Sequence, residues 1–158
     1  MEAQGRMKTL DEWLMLAKEM KEAGVLFILL TGGEPLLYPW FKELYISLLE
    51  MGMVLTVNTN GTLIDEEWTG FFSHHKPRRI NITLYGDSES GYERLCHYGQ
   101  GFDKAVKAIE GLRKAGVHVK INGSMTRANV SCSDGILDIG ERLDVPVRID
   151  KIGRASCR

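Results

Sequence analysis

Apolar residues recur along this chain at two different spacings. Five stretches repeat them at the spacing of an amphipathic helix, and these begin near Leu10, Phe41, Asp65, Phe102 and Ile136. Thr9 is a suitable N-cap for the first predicted helix, and Ser131 with Asp134 resembles a capping box before the last. Five short runs between the helices predict strands: Val25–Thr31, Met53–Asn58, Arg79–Tyr85, Val117–Ser124 and Val145–Ile149. This alternation favours an α/β fold with a parallel sheet.

A glycine repeat supports the same organisation. Gly24, Gly52 and Gly116 each stand between a predicted helix and a predicted strand, 28 and 64 residues apart. One βα unit therefore recurs about every thirty residues. Each glycine is expected at the C′ position of its helix, in the left-handed conformation.

Three of the predicted strands alternate polar with apolar residues. Strands covered on both faces of a parallel sheet are normally apolar throughout. The polar positions of each strand share one face: Thr56 and Asn58; Asn81, Thr83 and Tyr85; Lys120, Asn122 and Ser124. Because the helices need the apolar face, the polar face is predicted to line the inside of a curved sheet as a ligand cavity. The alternative is an α+β sheet with one face in water.

The apolar run Val25–Leu30 ends in the motif Thr31-Gly32-Gly33-Glu34-Pro35-Leu36. The two glycines allow a ligand to approach the backbone closely, and Pro35 ends the strand. Glu34 offers an anionic acceptor to a cationic group. A structural strand–turn–helix corner is the alternative interpretation, because such a corner also uses Gly and Pro.

Composition excludes several classes of function. The net charge of -1 and the pI of about 6.4 give no support for nucleic-acid binding. The basic run His74–Arg79 is the local exception, and it is predicted to complement the dipole of a helix end. No apolar stretch is long enough to span a bilayer, and the N-terminus lacks the apolar core of a signal peptide. Three scattered cysteines predict reduced thiols and a cytoplasmic location.

Several motifs together resemble the core domain of radical S-adenosylmethionine (radical SAM) enzymes. The Gly-Gly-Glu-Pro motif is similar to the end of that family's second strand. Similarity continues, in the family's order, through Asn58–Thr62, Ile82–Gly86, Tyr92–Leu95, Gly99–Asp103 and Thr126–Val130. The branch with a Cys-rich, SPASM-type C-terminal extension, which includes peptide maturases and anaerobic sulfatase maturases, is the most similar.

The resemblance implies a partial TIM-type (βα) barrel that binds S-adenosylmethionine at the C-terminal ends of its strands. Gly32, Gly33 and Glu34, followed by Pro35, would bind the amino group of the methionine moiety. A second set of candidates lies farther along the chain: Thr83 on the ribose, Arg94 near a position that binds the methionine carboxylate, and Asn58, Asn60 and Asn122 as less specific contacts. An Asn-Gly turn is the alternative for Asn60, and Lys120 and Ser124 are further candidates for substrate or cofactor contacts.

The family's chemistry depends on two cofactors. A reduced 4Fe-4S cluster, held by a CxxxCxxC loop, cleaves S-adenosylmethionine to a 5′-deoxyadenosyl radical that abstracts hydrogen from the substrate. This chain has no such loop, and Cys96, Cys132 and Cys157 have neither its spacing nor its position. We therefore expect the first strand and the cluster loop to precede Met1, and the chain as given to be inactive alone.

The predicted domain limits follow from the same resemblance. Residues 1–150 are predicted to form an incomplete core that lacks a sixth βα unit. Residues 151–158 are interpreted as an irregular tail, because Lys151–Arg158 resembles a translated sequencing adapter. A genuine irregular segment is the alternative.

The predicted function is that of an oxygen-sensitive radical enzyme that modifies a peptide or protein and takes electrons from a flavodoxin or ferredoxin. One alternative is a non-catalytic domain that binds an adenosyl ligand or a partner. Another is a mononucleotide-binding domain with phosphate at Gly32-Gly33, although Glu34 would repel phosphate and a Gly-rich Lys-Ser/Thr loop is absent. The strand Val25–Thr31 is expected to form an unpaired apolar edge that promotes association.

Overall fold

A computed structural model describes residues 6–151 of the protein. Within them the helices are α1 (Leu10–Glu22), α2 (Phe41–Glu50), α3 (Glu66–His74), α4 (Glu89–Cys96), α5 (Gly101–Lys114) and α6 (Ser133–Leu143). The strands are β1 (Phe27–Leu30), β2 (Val54–Thr59), β3 (Arg79–Leu84), β4 (Val119–Met125) and β5 (Val147–Lys151). Short 3₁₀ helices at Pro35–Leu37 and Val130–Cys132 complete the order. Cys157 and the rest of the predicted tail beyond Lys151 lie outside the described residues.

The strands form one parallel sheet in the order β1-β2-β3-β4-β5, so each strand lies beside the next in sequence. Helices connect them, as in the winding of a TIM-type barrel. The predicted α/β fold with five parallel strands and covering helices is confirmed.

The glycine repeat marks a recurrent helix end. Gly24, Gly52 and Gly116 have φ of +83°, +82° and +72°, as predicted for C′ residues. Helix α6 ends in the same way at Asp144, whose φ is +51°. Asp144 comes 28 residues after Gly116, so it continues the repeat with a different residue.

Four of the five predicted strands start too early, whereas β3 starts at Arg79 as predicted, and the helix ends explain the difference. The amide of Val25 donates to Met20 O, that of Met53 to Leu48 O, that of Val117 to Leu112 O and that of Val145 to Gly140 O. These four apolar residues therefore complete the helix end and do not begin the strand. The strands begin two residues later in three cases and one residue later at Val54.

The helix starts agree with the sequence in one case and differ in another. Thr9 and Glu12 form a capping box at α1, in which each side chain accepts a hydrogen bond from the other residue's amide. The capping box predicted from Ser131 and Asp134 is wrong. Helix α6 begins at Ser133, and Ser131 lies in the preceding 3₁₀ helix, so the chain enters α6 from another turn. Helices α4 and α5 are separate elements, because His97 adopts a left-handed conformation with a φ of +53° and ends α4.

The sheet has one apolar face, which packs against the helices. Buried side chains on that face include Leu55, Val57, Ile80, Ile82, Leu84 and Ile121. An aromatic cluster of Phe41, Tyr45, Trp68, Phe71 and Phe72 joins α2 to α3 beneath them. The opposite, inner face contains the polar positions. The helices described above do not cover this face, and the candidate site lies on it.

Candidate functional site

The chain leaves β1 through the two glycines, and the backbone there is open. A Cβ built on Gly32 or Gly33 would meet no protein atom within 4 Å. A ligand can therefore lie directly against this backbone, which is the use predicted for the two glycines.

Glu34 links this segment to the end of the neighbouring strand. Its Oε1 accepts hydrogen bonds from Thr59 Oγ1 (2.7 Å) and from the amide of Leu36 (3.2 Å). Its Oε2 accepts one from the amide of Asn60 (2.8 Å). A carboxylate has about four lone-pair positions, so one acceptor position on Oε2 remains. Glu34 thus forms a structural corner and still presents negative charge that fits an ammonium group.

Thr59 is a site position that the sequence analysis missed. Its side chain, 4% exposed, donates to Glu34 and accepts from the amide of Gly61 (3.0 Å). The predicted strand ended at Asn58, one residue before Thr59, and in the structure Thr59 lies on the opposite, helix-covered face from Asn58. The available signal was its position at the end of β2, where strand ends meet at one edge of a parallel sheet.

The Asn60 side chain closes a turn. Its Oδ1 accepts from the amide of Thr62 (2.8 Å) and from Thr62 Oγ1 (2.7 Å), and Gly61 follows with a φ of +76°. The Asn-Gly turn proposed as the alternative is therefore present. The group of Asn60 that reaches the candidate site is its amide, through Glu34.

The inner face of the sheet brings several of the predicted polar residues together. Asn81 Nδ2 donates to Asn58 Oδ1 at 2.6 Å, and Asn81 also lies opposite Lys120 in the β3–β4 register. Thr83, half-buried, lies opposite Asn122. A cavity of about 460 Å³ on this face is lined by residues of all five strands, including Asn58, Asn81, Lys120 and Asn122.

Asn129 is a second residue that the sequence analysis left without a role. It is 2% exposed, and its Nδ2 donates to Tyr85 O (2.8 Å) and to Ser124 O (2.9 Å). Its Oδ1 accepts from the amide and the hydroxyl of Thr126. Asn129 therefore links the C-terminal ends of β3 and β4, and its position in the Thr126–Val130 motif was the available signal.

Tyr85 follows β3 and lies near Glu34. Burial raises the pKa of its phenol, and the neighbouring Cys96 and Glu34 raise that pKa further. Tyr85 is therefore in its neutral form at neutral pH, able to donate a hydrogen bond. Arg94, by contrast, is exposed on α4, and no contact described for residues 6–151 brings its guanidinium to this group.

Two cysteines lie within the described residues, and neither belongs to a metal site there. Cys96 is exposed at the end of α4, and Cys132 is buried beside Gly91. Between residues 6 and 151, no group of three or more His, Cys, Asp or Glu side chains could hold a metal ion. The thiols in this part of the chain therefore do not fit the ligand set of a 4Fe-4S cluster. No helix in the same range is both long and apolar enough to cross a membrane.

Sequence comparison identifies relatives of the whole region. The family model described as the Radical SAM superfamily matches residues 1–127. The AdoMet-dependent heme synthase of Nitratidesulfovibrio vulgaris is 26% identical over 133 residues, which are 84% of this chain and 36% of that protein. The GTP 3′,8-cyclase of Brucella ovis is 33% identical over 119 residues, which are 72% of this chain and 34% of that protein. The chain spans about a third of the length of these relatives.

Solved structures show the same fold. SuiB of Streptococcus suis has a TM-score of 0.81 and 20% identity, and the match covers 98% of this chain and 36% of SuiB. SuiB bound to its precursor peptide SuiA has a TM-score of 0.80 and 21% identity, and the match covers 94% of this chain and 34% of SuiB. SuiB bound to S-adenosylmethionine has a TM-score of 0.79 and 21% identity, and the match covers 94% of this chain and 35% of SuiB. The five-stranded sheet of this chain is therefore part of a partial barrel of this type.

Proposed function

The chain belongs to the radical SAM superfamily, and from this membership we propose that it is part of an enzyme that binds S-adenosylmethionine at the C-terminal ends of its strands. The open backbone at Gly32-Gly33 leaves room for the methionine moiety. The remaining acceptor position on Glu34 binds the ammonium group, because a carboxylate and an ammonium form a charge-assisted hydrogen bond. The Glu34 geometry is the observation that carries this proposal.

Two further candidates complete the cofactor contacts. The hydroxyl of Thr83 is proposed to bind the ribose, since it lies on the inner face near the end of β3. Asn122, opposite Thr83, is proposed to contact the same ligand. Arg94, which is exposed on α4, is proposed to bind the methionine carboxylate.

In such an enzyme, S-adenosylmethionine and a 4Fe-4S cluster would supply the radical chemistry when both are bound. The described cysteines do not fit such a cluster. We therefore propose that this polypeptide binds the cofactor but does not cleave it alone. The residues of the chain orient the methionine moiety, and the helix-covered sheet keeps the inner cavity apart from bulk solvent on one side.

The proposed substrate is a peptide or protein, as in the SPASM-type branch, and the proposed electron donor is a flavodoxin or ferredoxin in the cytoplasm. SuiB, whose structure includes its precursor peptide SuiA, supports a peptide. The polar inner cavity supports it too, because side-chain amides can pair with peptide groups.

Binding of S-adenosylmethionine tests the proposed site. We expect Glu34→Gln to weaken binding of S-adenosylmethionine by about tenfold, which corresponds to a charge-assisted hydrogen bond. Binding of 5′-methylthioadenosine, which lacks the amino-acid part, should stay unchanged, as should both affinities in the control Glu19→Gln on the exposed side of α1. Equal loss of both ligands in Glu34→Gln would show that Glu34 acts only as a structural corner.

A second candidate function is a non-catalytic domain that binds an adenosyl ligand. The absence of a fitting cysteine set among residues 6–151 favours it. Anaerobic reconstitution with iron and sulfide, followed by assay for 5′-deoxyadenosine, separates the two functions when it is applied to the chain and to a longer protein that contains a CxxxCxxC loop. Product from the longer protein alone would support the enzyme, and product from neither would support the binding domain.

A further inference from the structure

Asn81 contains a polar atom that the fold itself does not satisfy. The residue is 8% exposed, and its Nδ2 donates to Asn58. Its Oδ1 is buried and has no hydrogen-bond partner among the described residues. Exchanging the two ends of both amides would only move the vacancy from the oxygen to the nitrogen. An unpaired buried polar group costs free energy, so this amide lacks a partner that the chain does not provide.

The cavity beside Asn81 is strongly basic. It is lined by the cationic side chains of Arg78, Arg79, Lys120 and Arg148, and by one carboxylate, Asp150. Arg148 Nε donates to Asp150 Oδ1 at 2.8 Å, so that pair is largely compensated. Within residues 6–151, no carboxylate lies within salt-bridge distance of Lys120 or Arg79. Excess positive charge in a half-buried cleft attracts an anion.

Lys120 is the cation best placed to act together with the amide. It lies opposite Asn81 in the β3–β4 register, and its side chain is half-buried. Its four-carbon stem is also flexible, so its ammonium can move toward a ligand in the cavity. A ligand at this position would meet a cation and an unpaired amide on adjacent strands.

From this juxtaposition we infer that the inner cavity binds an acidic residue of a peptide substrate. The carboxylate pairs with Lys120, and a neighbouring peptide N–H donates to Asn81 Oδ1. A peptide matches both groups, since it has an N–H donor within a few bonds of its side-chain carboxylate. The inference rests on the proposed function only in taking the substrate to be a peptide, and it names the side-chain class that the cavity selects.

Titration of the full chain with acetyl-Gly-Glu-Gly-amide tests the inference. We expect the side-chain amide signals of Asn58 and Asn81 to shift in NMR spectra. The affinity should fall about tenfold for acetyl-Gly-Gln-Gly-amide and should weaken as sodium chloride is raised, because salt screens the ion pair. Equal affinity for the Glu and Gln peptides would overturn the inference, and this comparison needs no variant.

Variants assign the effect to the cavity. Lys120→Met should lower the affinity for the Glu peptide to that for the Gln peptide, whereas Lys107→Met, on the exposed side of α5, should leave it unchanged. Equal weakening by both variants would overturn the assignment to Lys120. Inorganic phosphate is the competing probe: if it binds as tightly as the Glu peptide and shifts the same amide signals, the cavity is a general anion site and the peptide assignment fails.

Binding of S-adenosylmethionine is measured in the same samples, so the two proposals fail separately. Retained cofactor binding with no discrimination between the peptides overturns only the acidic-residue inference. Discrimination between the peptides without cofactor binding supports the cavity and contradicts the proposed cofactor site.

Discussion

Thr59 Oγ1 donates a hydrogen bond of 2.7 Å to Glu34 Oε1, which joins the exit of β1 to the exit of β2 across 25 residues of sequence. The same hydroxyl accepts from the amide of Gly61. The carboxylate that is proposed to bind the cofactor is therefore held in place by a neutral buried side chain. The position of Glu34 depends on β2 as much as on its own turn.

Replacement of Thr59 by Val removes this hydroxyl with little change in shape. We expect a loss of about 1–3 kcal/mol in the free energy of unfolding, since the amide of Gly61 loses its acceptor and Glu34 loses a donor. Urea denaturation measures the change. Thr69→Val on α3, whose hydroxyl makes no hydrogen bond in the described set, is the control and should change stability much less. Equal stability of Thr59→Val and the wild type would contradict the role given to Thr59.

Asn129→Asp tests the link between β3 and β4. The substitution keeps the shape but removes the two N–H donors, so the carbonyl oxygens of Tyr85 and Ser124 lose their partner. Each buried acceptor left unpaired costs about 1–3 kcal/mol, and the effect should appear as faster hydrogen exchange at the ends of β3 and β4. Asn60→Asp retains the Oδ1 acceptor of its turn and serves as the control. Unchanged exchange in Asn129→Asp would show that the strand ends do not need this link.

The start of α1 should be sensitive to acid. Hydrogen bonds from Arg6 and from the Thr9 amide lower the pKa of Glu12 from 4.5 to about 2. A lowered pKa in the folded state means that the carboxylate stabilises the helix start above about pH 4.5, and that this contribution is lost as the pH falls toward 2. Thermal unfolding between pH 5 and pH 2 should therefore depend less on pH in Glu12→Gln than in the wild type. Parallel pH profiles for the two proteins would contradict the assignment to Glu12, and Glu19→Gln is the matched control.

Strand β1 should promote self-association of this polypeptide. Among the described residues β1 pairs only with β2, and Phe27 and Leu29 are 59% and 51% exposed. An apolar strand with a free edge is a template for another chain. We expect oligomers in analytical ultracentrifugation, and we expect Leu29→Lys to reduce them while Leu137→Lys, on the exposed side of α6, does not. A monodisperse wild-type monomer would contradict this prediction.

Local patterns were sufficient to predict most of the fold. Helical spacing, alternation in the strands and the glycines at helix ends correctly gave a parallel α/β sheet with a polar inner face, because each signal lies within one βα unit. Asp144 was not recognised as part of the repeat, because the sequence analysis expected the left-handed conformation only at glycine and aspartate can also adopt it. Four strand starts were misplaced because an apolar residue that completes a helix end looks, in the sequence, the same as one that begins a strand.

The candidate site was less accessible to the sequence. Gly32, Gly33 and Glu34 were predicted as candidates, but the partners that position Glu34 lie 25 and 26 residues away. Asn129 reaches Tyr85 across 44 residues. Such pairs depend on strand register and on the direction of single side chains, which the spacing of polar and apolar residues does not encode.

The hydrogen bonds of Glu34 and Asn129 divide the strand ends into two pairs, β1 with β2 and β3 with β4. Among the side-chain hydrogen bonds described for residues 6–151, none at that edge crosses from the end of β2 to the end of β3. A ligand that contacts both Glu34 and Thr83 would bridge the ends of these two pairs of strands. Its binding energy would then depend on the spacing of the two strand ends, which the β2–β3 ladder and the Asn81–Asn58 hydrogen bond fix from within the sheet.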